Sequence, residues 1–266
     1  MSMLEAICAE RKADALRLRR DRPLASLERS AGPPRPSFAP RKASGASPLL
    51  IAECKKASPS RGLLVADYDP VALATAYERG GAGMLSVLTE PRRFLGADEH
   101  LAAVRAAAGL PILRKDFIVD PYQVLEAWSI GADAILLIAA ALGENQILEL
   151  AAAARELGLE VLVELHEEGE LEMAVAAAPD AIGVNARDLR DFHVDSERAM
   201  AMARLLPERH LRVAESGMRS PEDAAALLAA GYRGFLVGEA LATAADPEAR
   251  AREFAAALSV ARSEAL

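Results

Sequence analysis

Residues 48–62, with the sequence PLLIAECKKASPSRG, begin as a buried strand and end as a charged loop. The apolar run at residues 49–51 is typical of a strand covered on both faces, as in a parallel sheet. Side chains alternate along a strand, so Glu53 and Lys55 share one face while Cys54 takes the other. A carboxylate and an ammonium group beside a Ser/Pro/Gly loop indicate a functional site at this strand end. A strand that simply reaches solvent at the loop is the alternative.

The same succession of apolar run, loop and Ala-rich helical segment recurs along the rest of the chain. The predicted strands cover residues 49–54, 84–89, 111–116, 134–138, 161–165, 181–185, 211–215 and 234–237. The predicted helices that follow them cover residues 70–79, 98–108, 121–130, 144–157, 168–178, 196–206, 221–230 and 247–260. Alternating strands and helices indicate the α/β class, and eight units predict closure into a single (β/α)8 TIM barrel. An open doubly wound sheet is less favoured, because no G-x-G-x-x-G follows the first strand.

A further amphipathic helix is predicted over residues 4–20, ahead of the barrel. Its apolar stripe comprises Leu4, Ile7, Cys8, Leu16 and Leu18, and we expect its mixed-charge face to be solvated. The Pro-, Ser- and Gly-rich residues 21–47 are predicted to be an irregular linker. We therefore expect residues 1–47 to form an extension packed on the barrel, within one domain spanning residues 1–266.

Composition excludes several classes of protein. The chain has 266 residues, of which 52% are hydrophobic, and a net charge of -8, which argues against nucleic-acid binding. No stretch approaches the roughly 18 uninterrupted apolar residues of a membrane span, and the charged start, MSMLEAICAERK, does not resemble a signal peptide. Cys8 and Cys54 are too few for a disulfide framework. We expect a soluble, cytoplasmic protein with no membrane partner.

Polar side chains stand at seven of the eight predicted strand ends, and only the fourth end stays apolar. They are Glu53 and Lys55, Thr89, the run Arg114-Lys115-Asp116 before Phe117, Glu164 and His166, Asn185 and Arg187, Glu215, and Glu239. The active site of a (β/α)8 barrel lies at the carboxyl ends of its strands. Buried charges cost several kcal/mol each unless they are paired, so a purely structural barrel has no use for this set. The pattern predicts an enzyme.

A phosphate site is predicted where the seventh and eighth loops converge. Ser216, Gly217 and Gly238 offer backbone N–H groups there, and the segment GEALATAAD is expected to form a short helix from Gly238. Helix starts with an open approach attract phosphate. Two ordinary turn glycines are the alternative.

Six motifs, in order, are AECKKASPSRG, LRKDFIVDPYQ, VLVELH, IGVNARDL, VAESG and FLVGEAL. Together they resemble the indole-3-glycerol-phosphate synthase family of tryptophan biosynthesis over essentially the whole chain. The first two motifs are specific, whereas the last two occur in many phosphate-binding barrels. The resemblance implies conversion of 1-(2-carboxyphenylamino)-1-deoxyribulose 5-phosphate to indole-3-glycerol phosphate, with release of carbon dioxide and water. It also implies a small phosphorylated partner, a monomer or weak homo-oligomer, and no metal or organic cofactor.

The resemblance also implies a role for individual residues. Lys115 corresponds to the principal general acid, Glu164 to a general base or acid in the dehydration, Lys55 to a substrate-contacting lysine and possible acid, and Glu53 to its orienting carboxylate. The substrate-binding residues implied are Ser58, Asn185, Arg187 and Glu215, with Phe94, Phe117 and Leu136 beside the flat ring. The phosphate-binding residues implied are Ser216, Gly217, Gly238 and Glu239.

Two positions depart from the family pattern. Ala186 stands where many relatives have Asn, and alternation turns it away from the pocket. Glu239 stands where some relatives have Ser, and an inward carboxylate would repel phosphate. We therefore expect only the backbone N–H of Glu239 to help.

Other residues are given structural interpretations. His166 is expected to be a hydrogen-bonded neighbour of Glu164, Trp128 to pack, and Cys54 to face the surrounding helices. No metal site is predicted, because His100, His193 and His210 lack partners at metal-ligand spacing. Two other functions remain open: a Schiff-base barrel in which Lys115 attacks a sugar-phosphate carbonyl, and a sensor of phosphorylated ligands.

Overall fold

Eight parallel strands close into a barrel in the computed structural model, which describes residues 2–29, 32–38, 47–188 and 193–264. The strands are β1 (Leu49–Cys54), β2 (Met84–Leu88), β3 (Ile112–Lys115), β4 (Ala134–Ile138), β5 (Glu160–Leu165), β6 (Ala181–Asn185), β7 (Leu211–Glu215) and β8 (Gly234–Val237). Each strand pairs with its neighbours in sequence, and β1 closes the barrel by pairing with β8, Leu49 opposite Gly234. The predicted TIM barrel is confirmed, with every strand boundary within one residue of the prediction.

The helices surround the barrel, apart from the first. They are α1 (Met3–Asp21), α2 (Pro70–Arg79), α3 (Asp98–Ala107), α4 (Pro121–Ser129), α5 (Glu144–Glu156), α6 (Leu171–Ala176), α7 (Ser196–Met202), α8 (Pro221–Ala229), α9 (Glu239–Ala242) and α10 (Pro247–Glu264). The helix predicted over residues 168–178 begins as a 3₁₀ turn, Glu168–Glu170. The one predicted over residues 196–206 ends at Met202, and residues 203–205 form a turn ahead of Pro207. Within the described ranges, no helix is long and apolar enough to cross a bilayer.

Alternation along the strands divides the buried side chains into two layers. Leu49 and Ile51 belong to the core inside the barrel, whereas Leu50, Ala52 and Cys54 pack between strand and helices. The same alternation carries Glu53 and Lys55 onto the inner face, at the open end of the barrel. The predicted outward orientation of Cys54 is therefore confirmed.

The interface of α1 with the barrel differs from the predicted stripe. Leu16 is 52% exposed, whereas the charged residues Arg11 and Asp14 are buried. The Arg11 guanidinium donates from Nε and Nη2 to the two carboxylate oxygens of Asp116, at 3.0 and 2.7 Å. The prediction of a solvated charged face was wrong here, because Arg11 pairs with Asp116 at the end of β3 and Asp14 pairs with Arg11 and with Arg92 of the loop after β2.

The linker closes the opposite end of the barrel. Phe38 is fully buried in the inner core, and the N–H groups of Ser37 and Phe38 donate to Glu160 Oε2 at 2.6 and 2.9 Å. Asp21 is the last residue of α1 and residues 24–26 form one 3₁₀ turn, while the other described linker residues are irregular, as predicted. Residues 30–31 and 39–46 of the predicted linker lie outside the described residues.

Candidate active site

A cavity of about 750 Å³ opens at the carboxyl ends of the strands. Every residue that the sequence predicts for catalysis, substrate or phosphate lines it. These residues are Glu53, Lys55, Ser58, Phe94, Lys115, Phe117, Glu164, Asn185, Arg187, Glu215, Ser216, Gly217, Gly238 and Glu239. Residues distant in sequence are thus brought together around one space.

Lys115 lies at the centre of the polar part of the cavity. Its Nζ is 2.8 Å from Glu164 Oε2 and 2.7 Å from Glu215 Oε2. Burial would lower the pKa of the ammonium group, but Glu164 and Glu215 outweigh burial, and the pKa lies well above the ordinary lysine value. Lys115 is therefore a cation throughout the neutral pH range.

The pKa values of the two carboxyl groups beside Lys115 are shifted in opposite directions. Burial would raise the pKa of Glu164, but Lys115 and His166 lower it below the ordinary carboxyl value. Burial raises the pKa of Glu215 above the ordinary carboxyl value; Lys115 opposes this rise, and repulsion by Glu164 adds to it. Two carboxylates with separated pKa values suit one to accept a proton and the other to hold one.

Glu215 fits in this position because β6 has a glycine beside it. A Cβ on Gly183 would overlap Glu215 Oε1, so only glycine leaves room for the carboxylate. Next along β6, Asn185 hydrogen-bonds to Glu164 and accepts the Arg187 N–H at 3.0 Å. The ends of β5, β6 and β7 thus fix one another.

Glu53 and Lys55 form a second charged pair, with 2.6 Å between Lys55 Nζ and Glu53 Oε1. This contact confirms that the two side chains share a face of β1. A Cβ on Gly238 would overlap both Glu53 Oε1 and Lys55 Nζ. The pair therefore packs against the bare backbone at the start of α9.

Arg114 and Lys115 are adjacent in sequence but point in opposite directions. Arg114 is fully buried outside the barrel, where its Nη2 is 2.7 Å from Asp98 Oδ1 and 2.8 Å from Glu126 Oε2. Asp116 accepts the Thr89 hydroxyl at 2.6 Å. Of the three polar residues at this strand end, Arg114 thus does not face the cavity, because alternation along β3 directs it to the helices.

The predicted phosphate end combines a strained loop with a helix start. Ser216 has a left-handed backbone with φ 64°, and Gly217 follows with φ 79°. The predicted short helix after Gly238 is confirmed as α9, Glu239–Ala242. Arg61 and Arg219 also line this end of the cavity. Neither arginine was predicted at the site, although Arg61 belongs to the motif AECKKASPSRG and Arg219 follows VAESG by two residues.

Glu239 turns toward one of these arginines. Its Oε1 is 3.5 Å from Arg61 Nε, and both side chains are partly exposed. A cation thus stands beside the carboxylate that we expected to repel phosphate. Ala186, the other departure from the family pattern, is buried in the outer layer as predicted.

The opposite end of the cavity is apolar. Phe94 and Phe117 lie with ring centroids 6.1 Å apart, and Leu136 lines the same wall. Met3, Leu4 and Ile7 of α1 complete it, although they were not predicted at the site. The predicted stripe contained Leu4 and Ile7, but nothing in the sequence indicated which part of the barrel they contact.

Two of the residues with a structural interpretation, His166 and His193, lie at the site, and the others pack elsewhere. His166 Nε2 is 3.5 Å from Glu164 Oε1, and His193 lines the cavity. Trp128 packs partly buried under the Arg29 guanidinium, His100 meets Tyr68 edge-on, and His210 Nδ1 is 2.9 Å from Pro179 O. Among the described residues, no group of three or more His, Cys, Asp and Glu side chains could hold a metal ion.

Comparison with known proteins identifies the family. The family model for indole-3-glycerol phosphate synthase matches residues 4–254. A protein of that name from Nocardioides sp. is 46% identical over 95% of this chain and 97% of its own length, and one from Azospirillum brasilense is 45% identical over 94% and 97%. The solved 3-hexulose-6-phosphate synthase from Salmonella typhimurium shares the fold, with a TM-score of 0.66 and 16% identity over 80% of this chain and 99% of its own. The chain therefore belongs to the indole-3-glycerol phosphate synthase family, carboxy-lyases of tryptophan biosynthesis built on the TIM barrel.

Proposed function

We propose that this chain closes the indole ring of 1-(2-carboxyphenylamino)-1-deoxyribulose 5-phosphate, releasing carbon dioxide and water to give indole-3-glycerol phosphate. Lys115 is the general acid for ring closure, and Glu164 moves the proton in the dehydration. The observation that carries this assignment is the placement of Lys115 Nζ within 2.8 Å of Glu164 and 2.7 Å of Glu215, inside a cavity.

The chemistry requires an acid that still carries its proton at neutral pH. An arene carbon attacks the ketone, and the carbonyl oxygen becomes an alkoxide unless it receives a proton. The raised pKa of Lys115 keeps its proton in place until then. A developing alkoxide is more basic than an amine, so transfer becomes favourable only as the new carbon–carbon bond forms.

The later steps use the carboxylates. Loss of carbon dioxide leaves a hydroxyl on the new ring, and its departure with a neighbouring proton restores aromaticity. Glu164, ionised because of its lowered pKa, accepts a proton in this step. Glu53 holds Lys55 at 2.6 Å, which orients the Lys55 ammonium toward the substrate as a second acid or anion contact.

The two ends of the cavity suit the two ends of this substrate. Ser216, Gly217, Gly238 and the backbone N–H of Glu239 bind the phosphate, and Phe94, Phe117 and Leu136 flank the carboxyphenyl ring. Ser58, Asn185, Arg187 and Glu215 contact the groups between. We further propose that residues 1–266 act as one domain in the cytoplasm, with residues 1–47 as an extension of the barrel.

The charge state of Lys115 favours acid catalysis over a Schiff-base mechanism. A Schiff base needs a neutral amine as nucleophile, whereas the ionised Glu164 carboxylate, 2.8 Å away, keeps Lys115 protonated. Borohydride added with the substrate should therefore trap no covalent adduct. A trapped adduct on Lys115 would favour the aldolase-like alternative.

The direct test supplies the carboxyphenylamino-deoxyribulose phosphate and follows indole fluorescence. We expect turnover by the wild type, and in Glu164→Gln a single-turnover stall after ring closure with an accumulating intermediate. A ligand sensor would bind the compound without producing fluorescence. Absence of product with the wild type would contradict the proposed reaction.

A further inference from the structure

The loop between β2 and α3 is folded around one buried carboxylate. Glu90 is fully buried, and its Oε1 accepts the N–H of Arg92 at 2.9 Å. Its Oε2 accepts the N–H groups of Arg93 and Phe94, at 2.6 and 2.9 Å. Three consecutive backbone donors thus converge on a single side chain, and hydrogen bonds to a charged acceptor are stronger than neutral ones.

The ends of this loop are fixed as well. The Gly96 N–H donates to the Glu90 carbonyl at 2.8 Å, and the Thr89 N–H donates to the Lys115 carbonyl at 3.1 Å. Leu95, between them, has a left-handed backbone with φ 52°. Such a conformation persists only where the surroundings over-determine it. Residues 89–96 are therefore a single rigid turn attached to the end of β3.

The outer side of the turn is ion-paired to α1. Arg92 Nη1 and Nη2 donate to the two oxygens of Asp14 at 2.6 and 2.9 Å. Arg93 makes the same two-point contact with Glu10, at 2.5 and 2.9 Å. Paired contacts of this kind fix direction as well as distance. Arg92 and Arg93 thus each fix one of two successive helical turns of α1.

The inner side of the turn faces the cavity. Phe94, the third residue whose N–H reaches Glu90, packs against the inner core and lies 6.1 Å from Phe117 between ring centroids. Leu4 and Ile7, from the part of α1 just before Glu10, line the same wall. One carboxylate therefore sets the backbone that places both the aromatic wall and the helix over it.

We propose that Glu90 is a positioning residue for the ring-binding half of the site, acting through Phe94 and α1. Without its carboxylate, three buried N–H groups lose their acceptor, and the turn must rearrange to find others. Phe94 and the arginine contacts to α1 then shift together. The identity of the bound ring rests on the proposed function, whereas the connection between Glu90 and α1 does not.

A positioning role and a purely structural role differ in the part of a ligand whose binding they affect. A positioning role weakens binding of the ring, whereas a purely structural role weakens binding of the ring and the phosphate alike. The phosphate loops follow β7 and β8, whereas the turn follows β2 and is ion-paired to α1. Two probes distinguish the halves: a substrate analogue whose ketone is reduced to an alcohol, which cannot close the ring, and glycerol phosphate, which lacks the ring. Both are titrated into wild type, Glu90→Ala, Glu90→Gln, Phe94→Ala and the double variant Glu90→Ala/Phe94→Ala, with exposed Glu99→Gln as control.

We expect Glu90→Ala to weaken binding of the reduced analogue about tenfold, with glycerol phosphate binding changed less than twofold. Glu90→Gln keeps one acceptor oxygen and the side-chain volume, so its effect should be smaller and in the same direction. The double variant should bind the analogue more weakly than Phe94→Ala alone, because α1 also shifts, but by less than the product of the two single fold-changes, because both changes disturb Phe94. Equal weakening of both probes, additive effects in the double variant, or no effect would overturn the proposal.

Hydrogen exchange tests the connection between Glu90 and α1 without any substrate. Amides in the middle of α1 should exchange about tenfold faster in Glu90→Ala than in the wild type or Glu99→Gln. Unchanged exchange in α1 would contradict the proposed connection. If the wild type itself failed to bind the reduced analogue, the proposed function would fall, and the exchange result would still decide whether Glu90 holds α1.

Discussion

Gly183 on β6 provides the space that the Glu215 carboxylate of β7 occupies beside Lys115. A Cβ at Gly183 would overlap Glu215 Oε1, and Glu215 Oε2 lies 2.7 Å from Lys115 Nζ. A position with no side chain thus determines where an acid group can lie. Because the backbone of Gly183 is not in the left-handed region, alanine would meet only this overlap and a close contact of 3.3 Å with Leu162 Cδ1, a side-chain atom that can shift.

Gly183→Ala should therefore act through Glu215. The added methyl group displaces the carboxylate from Lys115, and we expect turnover to fall about 10²-fold, as for a misplacement of about 1 Å. Gly169→Ala is the matched control, because a Cβ there meets nothing within 4 Å. Steady-state rates and thermal unfolding of both variants check this prediction. Full activity in Gly183→Ala would show that the position of Glu215 is unimportant.

The raised pKa of Glu215 predicts a pH dependence of stability. Above the ordinary carboxyl pKa of about 4.3, the unfolded chain loses this proton while the folded protein keeps it. The unfolding free energy of the wild type should thus fall relative to Glu215→Gln as the pH rises, by at most about 1.4 kcal/mol per pH unit for one proton. Urea unfolding from pH 4 to 8 measures the difference. If the unfolding free energy of the wild type instead rose with pH relative to that of Glu215→Gln, the Glu215 pKa would be lowered in the folded protein.

Glu239→Ser should strengthen phosphate binding. Glu239 lies 3.5 Å from Arg61, so its removal leaves that guanidinium free to meet the substrate phosphate. Exposed pairs are worth up to about 1 kcal/mol, so we expect KM to fall by up to about fivefold with kcat unchanged. The gain should shrink at high salt, because exposed charges are screened. A raised KM would indicate that the Glu239 side chain itself assists binding.

Arg11→Met should destabilise the protein through Asp116. Burial would raise the pKa of Asp116, but Arg11 and Arg114 hold it below the ordinary value. Loss of one partner of a buried pair costs about 3 kcal/mol. Arg17→Met, on an exposed arginine of the same helix, should cost less than about 1 kcal/mol. Denaturant unfolding compares the two, and equal losses would contradict a special role for the buried pair.

The sequence carried enough information to predict the barrel and the residues around its cavity. Parallel strands buried on both faces give short apolar runs, and side chains alternate along them, so a charge such as Glu164 at a strand end indicates the open mouth. Pro and Gly mark the helix ends in addition. These signals are local, which is why the strand boundaries agree within one residue.

Contacts between distant segments were not predictable in the same way. Nothing in the sequence of α1 indicates that Arg11 meets Asp116, since the pairing depends on how the helix crosses the mouth of the barrel. The role of Glu90 is equally hidden, because its partners are backbone N–H groups that any residue supplies. Gly183 became informative only once Glu215 was seen beside it.

The most direct test of the proposed mechanism is single-turnover indole formation by Lys115→Met. This change keeps the side-chain length and removes the ammonium group held by Glu164 and Glu215. With circular dichroism confirming the fold, and Lys12→Met on the exposed face of α1 as control, we predict a 10²- to 10⁴-fold loss of ring closure. A Lys115→Met rate within about tenfold of the wild type would contradict Lys115 as the general acid.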